Sequence, residues 1–373
     1  MTELEDRQGD EPPGREQPVR DAQGAEAQGA EVRGAEMEGA EAQGAEPPRL
    51  GGPPGPIERD DPFAVAGRKA MWLHVKRLLE VDAALRDPDK AHDLKRYRVA
   101  TRRLRAAMRA FEEAFPKREI KALRDDLADL ATVAGAARDL DVRIADLQQW
   151  AEARGDETLA GIQPLAATWQ AERAAAAARL DARLRKRRHA RLLEDLVAFV
   201  ESTDAADAPG ARAAGRRPGG SAEAGIPARP IGLRAGTLLW QGYERVMAYD
   251  GVVRRADLAT LHQLRIEAKR LRYLLEFLAA ILGPESADLV ARLVAVQDHL
   301  GMLNDASVTS TAVRAFLEAP TTHLQAAEHT AIAAYLQDRQ RAITRLQRGA
   351  TRPWRGVAGL VFARALAKAL IAR

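Results

Sequence analysis

From residue 71 onward, leucine, valine, alanine and aromatic residues recur every three or four positions, the period of a helix with one buried face. The pattern predicts helices over 71–85, ended by Asp87-Pro88, over about 90–115, stopped by Pro116, and over 119–149, with Gly135 a candidate break. A long fourth helix is expected over 158–202. A second series follows at 233–249, from 257 to the Gly283-Pro284 stop, over 286–317, 324–347 and 354–371. Two stretches lack this period. Residues 1–61 contain five GAE-bearing pentapeptides from Ala22 (AQGAE, AQGAE, VRGAE, MEGAE, AQGAE) and are too poor in apolar side chains to offset the entropy of folding. Residues 204–230 are rich in Gly, Ala and Pro, as a flexible linker is.

Two of the helices carry a second, cationic stripe. In 261–278, LHQLRIEAKRLRYLLEFL, residues His262, Arg265, Lys269 and Arg272 share a face, and Leu264, Leu271, Leu274, Leu275 and Leu278 share another. In 94–111, LKRYRVATRRLRAAMRAF, the cations are Lys95, Arg98, Arg102, Arg105 and Arg109, opposite Leu94, Tyr97, Leu104, Met108 and Phe111. Each helix packs on one side and offers positive charge on the other, and together they predict one anion-binding surface. Tyr97, Tyr273 and Phe277 stand among the cations at core spacing, so packing is their expected role.

The two series repeat. Arg98 and Arg265, Arg102 and Lys269, Arg103 and Arg270, and Arg105 and Arg272 each lie 167 residues apart. Gly135 and Gly301, and Asp139 and Asp305, lie 166 apart. The expectation is an all-α fold of two antiparallel four-helix bundles, at 62–203 and 231–372, related by a pseudo-twofold repeat around a basic central cavity. Arg103 and Arg270 fall off the stripe, which suggests Arg103–Asp139 and Arg270–Asp305 pairs locking each bundle. The glycines would allow close helix approach.

Charge sharpens this picture. Net charge is only +4, but residues 1–61 hold 16 Asp and Glu against 6 Arg, a net of −10, which leaves +14 on the remainder. A basic body implies a polyanionic partner. The acidic tail is then either a solubilising extension or a mimic of that partner. There is no cysteine, which excludes disulfide and thiolate chemistry, and no apolar run reaches the ~18 residues of a membrane span. The acidic N-terminus is not a secretory signal, and the expected location is cytoplasmic. Metal ligation is not expected, because no HExxH or clustered His/Asp set occurs.

The motifs HQLRIEAKRLRYLLEF and LGMLNDASV, echoed by RVATRRLRAAMRAF and AGAARDLDV, resemble those of CHAD domains, the conserved-histidine α-helical family. The resemblance spans roughly 63–372 and implies polyphosphate binding and association with polyphosphate granules. The family's motif residues match His262, Arg265, Lys269, Arg270 and Arg272 here, and Arg98, Arg102, Arg103 and Arg105 in the first half. The family's first histidine falls at Lys95, with His92 three residues earlier, so any role needing imidazole at that position is lost. The nearest approach to the ExExK strand of a fused CYTH-type triphosphatase is Glu3-Leu4-Glu5-Asp6-Arg7, which lacks the lysine, so a stand-alone domain is expected.

The primary site expected is therefore Lys95, Arg98, Arg102, Arg105, Arg109, His262, Arg265, Lys269 and Arg272. Lys76, Arg77, His92, Arg187 and Arg188 form a secondary set; the cluster around Arg187 is either a rim of the same site or a solvated face. His262 is either a phosphate ligand or a residue bridging helices. No catalytic residue or cofactor is expected, and the partner is inorganic polyphosphate, bound without turnover. The alternatives are a phosphoryl-transfer or polyphosphate-hydrolysing enzyme and a nucleic-acid binder. The first lacks acidic metal ligands or a P-loop, and the second lacks a helix-turn-helix, zinc or stacking-aromatic signature.

Overall fold

The computed structural model describes residues 48–86, 94–202, 230–320 and 323–371. Among the described residues the secondary structure is helical, apart from isolated bridge residues at Pro62, which pairs with Pro230, and at Lys186. The first half contains α1 (Phe63–Arg86), α2 (Leu94–Ala110), α3 (Lys117–Glu152), α4 (Asp156–Gly161), α5 (Gln163–Leu184) and α6 (Arg187–Glu201). The second contains α7 (Ile231–Met247), α8 (Leu258–Phe277), α9 (Glu285–Glu318), α10 (Ala326–Gly349), α11 (Thr351–Trp354) and α12 (Leu360–Ile371).

The apolar stripes of the sequence become one continuous core. In the first half α1 packs on α2 and α6, α2 on α3, and α3 on α5; in the second α7 packs on α8, α8 on α9, and α9 on α10 and α12. Leu94, Tyr97, Leu104 and Met108 on α2, Phe111 just after it, and Leu264, Leu271, Leu274 and Leu275 on α8 are all buried, so the cationic stripes are left to the other side. Tyr273 and Phe277 are buried as expected. Asp257 caps α8, its carboxylate accepting from the Thr260 N–H at 2.7 Å.

The helix expected over 158–202 is three helices. Lys186 is extended (φ −71°, ψ 144°), and the chain turns there. The cause is tertiary: α5 lies on α3 while α6 must lay Leu192, Leu193, Leu196, Phe199 and Val200 on α1, and a single straight rod cannot serve both surfaces. Inside this junction His189 Nε2 meets Asp82 of α1 at 2.6 Å, and the Tyr97 hydroxyl donates to the same carboxylate oxygen at 3.4 Å. All three side chains are buried. The break expected at Gly135 does not occur; α3 runs through it, because packing along the helix outweighs the ~1 kcal/mol cost of one interior glycine.

The boundary at residue 61 also moves. Ile57 is buried in the core, the Lys69 ammonium donates to Asp61 at 2.8 Å and to the Pro56 carbonyl at 2.9 Å, and the Gly51 N–H donates to the Glu201 carboxylate. Ile231 and Gly232 donate their N–H groups to the carbonyls of Asp61 and Arg59 at 2.9 and 2.8 Å. Residues 48–61 are thus a largely exposed strap tied to both halves, anchored by Ile57 and a few hydrogen bonds and so invisible to periodicity. The pentapeptide repeats, His92 and most of the linker lie outside the described residues.

The halves meet through α2 on α8, α10 on α4 and α5, and α1 on α7. Asp146 of α3 accepts from the Tyr335 hydroxyl at 2.6 Å and from Arg339 at 2.7 Å, both on α10. Gly161 is required there, since a Cβ would stand 2.6 Å from the Ala331 Cβ.

Candidate functional site

The sequence predicts that the two cationic helices share one surface, and α2 does pack against α8. Their leucine faces turn into separate halves of the core, which leaves the arginine faces at the seam. Arg98, Arg102, Arg265, Lys269 and Arg272 are all partly buried there. Their proximity is legible in Lys269. Its ammonium is pushed down from the ordinary 10.5 to about 7, first by burial and then by the guanidiniums of Arg265, Arg102, Arg272 and Arg98. Arg265 is also lowered, chiefly by burial, with Asp305 opposing and Arg102 and Arg98 adding to the fall.

Carboxylates balance only part of this charge. Arg98 pairs with Asp139. Arg272 lies 3.4 Å from Glu276, which also holds Arg103 at 3.0 Å across the seam. Among the described residues Arg102, Arg265 and Lys269 form no ion pair. The Nε atoms of Arg102, Arg105, Arg265 and Arg272 are buried without a hydrogen-bond partner. Buried donors without acceptors are costly, and a cluster of cationic ones is a place where an anion is stabilised.

The expected locking pairs are not the ones formed. Arg98, not Arg103, takes Asp139, and Arg265, not Arg270, is the arginine stabilised by Asp305. The matching glycines lie beside the same arginines: a Cβ on Gly135 would touch Arg98 Nε at 3.9 Å, and one on Gly301 would touch Arg265 Nε at 3.8 Å. These glycines therefore make room for a guanidinium rather than for a helix backbone. Arg103 points across the seam instead, paired with Glu276 and 5.6 Å from the Tyr273 ring centre. Arg270 is exposed and pairs with Glu267 on its own helix, a contact of small value. Residue spacing and helix faces alone do not say which arginine reaches the next helix.

The primary stripe divides. Arg105 feels Arg124, Asp125 and Asp129 of α3, and Arg109 feels Arg270, Arg124 and Arg105; both are lowered mainly by burial. They form a second cationic group that continues from the first along α2. Lys95 is exposed at the start of α2, and exposed His262 bonds through Nδ1 to the Asn304 Oδ1 at 2.8 Å. Of the secondary set, Arg188 is engaged by Asp126 and Asp129 of α3, so it ties helices together. Arg187 is exposed. Lys76 pairs with Glu80 at 3.9 Å, and Arg77 stands exposed on α1. Among the described residues no group of three or more His, Asp or Glu side chains is arranged to hold a metal ion. No helix among them is long and apolar enough to cross a membrane.

Comparison with known proteins bears on the same region. The family described as "CHAD domain" matches residues 69–314, which include both cationic helices. The crystal structure of the CHAD domain from the plant Ricinus communis superposes with a TM-score of 0.61 at 24% identity, covering 85% of this chain and 98% of that one. PptA from Streptomyces chartreusis superposes with a TM-score of 0.62 at 14% identity, covering 79% of this chain and 100% of that one. At such identities the likeness concerns the fold. No curated protein matches the chain.

Proposed function

The chain belongs to the CHAD domain family, and from that premise we propose that it binds inorganic polyphosphate along the seam between α2 and α8 and leaves it intact. The observation that carries the reading is uncompensated positive charge on rigid supports. The Nε atoms of Arg102 and Arg265 there are buried without an acceptor, and burial, followed by four neighbouring arginines, depresses Lys269 to about 7. A polyphosphate chain carries about one negative charge per unit. Arginine meets phosphate oxygens with a planar fork and lysine with a point charge, so a row of both on two helices grips successive units. Like charges held in a groove focus the field and draw the polyanion in.

Arginine and lysine hold phosphate by charge and forked hydrogen bonds, which supports retention rather than turnover. In this reading the protein works in the cytoplasm, on polyphosphate granules. The pseudo-twofold repeat would give each half one wall of the groove, closing into a basic central cavity.

The test is competition at equal phosphate. Fluorescent polyphosphate bound to the full chain is challenged with unlabelled polyphosphate or with RNA. Displacement by polyphosphate well before RNA is the expected result. Preference for RNA would replace the proposal with nucleic-acid binding, and metal-dependent release of orthophosphate would replace it with an enzyme.

A further inference from the structure

Helix α12 has a face that the core does not use. On its inner side Phe362, Leu366 and Ala369 are buried, and the Phe362 ring stacks on Tyr243 of α7 at 5.1 Å. On its outer side Leu360, Val361, Arg364, Lys368 and Ile371 fall on one stripe along the helix, and all five are exposed. Leu360 is 69% exposed, Val361 64% and Ile371 76%. We propose that this stripe docks on an anionic lipid surface, its apolar side chains entering the acyl boundary and its two cations meeting the headgroup phosphates.

An apolar residue standing alone on a surface is ordinary, but three on one face of a 12-residue helix form a patch. Leu360 and Val361 at the start and Ile371 at the end bracket the cations. Among the described residues Arg364 and Lys368 form no ion pair. On α9, which packs against α12, Asp288 is already held by Arg292 at 2.7 Å. The chain around the helix supplies no counter-charge: residues 339–373 hold nine Lys and Arg and no Asp or Glu, so the complement of this face is anionic.

The mixture of groups then chooses among anions. Inorganic polyphosphate would meet the cations and leave three apolar side chains in water. Single-stranded nucleic acid is held by stacking aromatics, and the stripe has none. A second copy of the chain would set like charge against like charge. A stable protein partner buries about 800 Å² on each side, more than one face of a helix ~18 Å long presents. A lipid surface asks only for a helix lying in its plane, with apolar residues inserted and the stems of Arg and Lys carrying charge up to the headgroups. Such contact needs no spanning segment. α12 packs on α9, whereas the seam is built by α2 and α8, so this inference does not rest on the polyphosphate reading.

The test is co-sedimentation of the full chain with vesicles of phosphatidylcholine, alone or mixed with phosphatidylglycerol. Binding to the mixed vesicles only, falling as salt is added, is expected. Arg364→Gln with Lys368→Gln should weaken it by about thirtyfold. Leu360→Ser, Val361→Ser and Ile371→Ser together should weaken it on the order of tenfold or more. All five positions are exposed, so both variants should keep their helical circular dichroism and their affinity for polyphosphate. Failure of the full chain to sediment with mixed vesicles overturns the proposal, as does equal binding to phosphatidylcholine alone or binding that survives both sets of substitutions. Loss of vesicle binding in an Arg265→Glu, Lys269→Glu variant instead would move the lipid contact to the seam. A dimer of the full chain that the serine substitutions dissolve would give the face to a second copy, and overturns it too.

Discussion

Lys269 offers the sharpest test of the seam. Its fall from the ordinary 10.5 to about 7 corresponds to ~5 kcal/mol of interaction against the charged form. Solvent reaching a partly exposed ammonium reduces this to on the order of 2–3 kcal/mol. The unfolded chain binds the proton more readily between pH 7 and 10.5, so stability rises with pH through that window, and the cost is complete below about 7. Lys269→Met should therefore stabilise the free protein by ~2 kcal/mol at pH 6 and by little near pH 10, read as a shift in urea midpoint. A bound polyanion reverses the balance. It favours the ammonium and restores the ordinary value, so at pH 8 binding should take up close to one proton, since only about a tenth of the free protein carries it there. Affinity should fall as pH rises above 7. Titration in two buffers of different ionisation enthalpy counts the proton directly. Lys269→Arg, charged throughout, should bind with no proton uptake. Zero uptake by the unaltered protein at pH 8, or a Lys269→Met variant less stable at pH 6, would refute the reasoning.

The salt dependence distinguishes two sizes of site: five seam cations give a log–log slope of about −3.5, whereas all nine stripe residues give about −6. Charge reversal of Arg265 and Lys269 together to Glu should weaken polyphosphate binding by ~100-fold or more with the helical circular dichroism unchanged. Asp146→Ala strips Tyr335 and Arg339 of their shared acceptor and should cost ~2–3 kcal/mol in urea unfolding, with affinity affected only through stability. Removal of residues 1–47 should leave the melting temperature alone, whereas removal of 1–61 takes away buried Ile57 and the Asp61 contacts and should lower it by several degrees.

Much of this architecture was legible because helical period is a local property. The leucine and arginine stripes on α2 and α8 follow from spacing alone, and the near-constant offset between halves pointed to the same surfaces. What spacing cannot convey is the crossing of one helix over another. Arg98 and Arg103 both stand near α3 in sequence terms, and only the crossing gives Asp139 to the first and Glu276 to the second. The turn at Lys186 escaped for a related reason. Residues 165–202 contain no proline or glycine, and the bend comes from two docking surfaces that lie far away in the chain, whereas Gly161 and Pro164 do mark the earlier break between α4 and α5. The depression of Lys269 was equally hidden, since it comes first from burial and then from four arginines of two separated segments.

The Arg103–Glu276 tie has one more consequence. α2 and α8 present like charge to each other, so the empty protein holds mutually repelling walls together with a cross-strut whose carboxylate is shared with Arg272. A polyanion lying between those walls supplies the counter-charge they lack and becomes a mortar joining the two halves. Occupancy should then make the whole body more rigid, with slower amide exchange on both helices at once, and a severed half-chain would keep its fold's pattern but hold only one jaw of the vice.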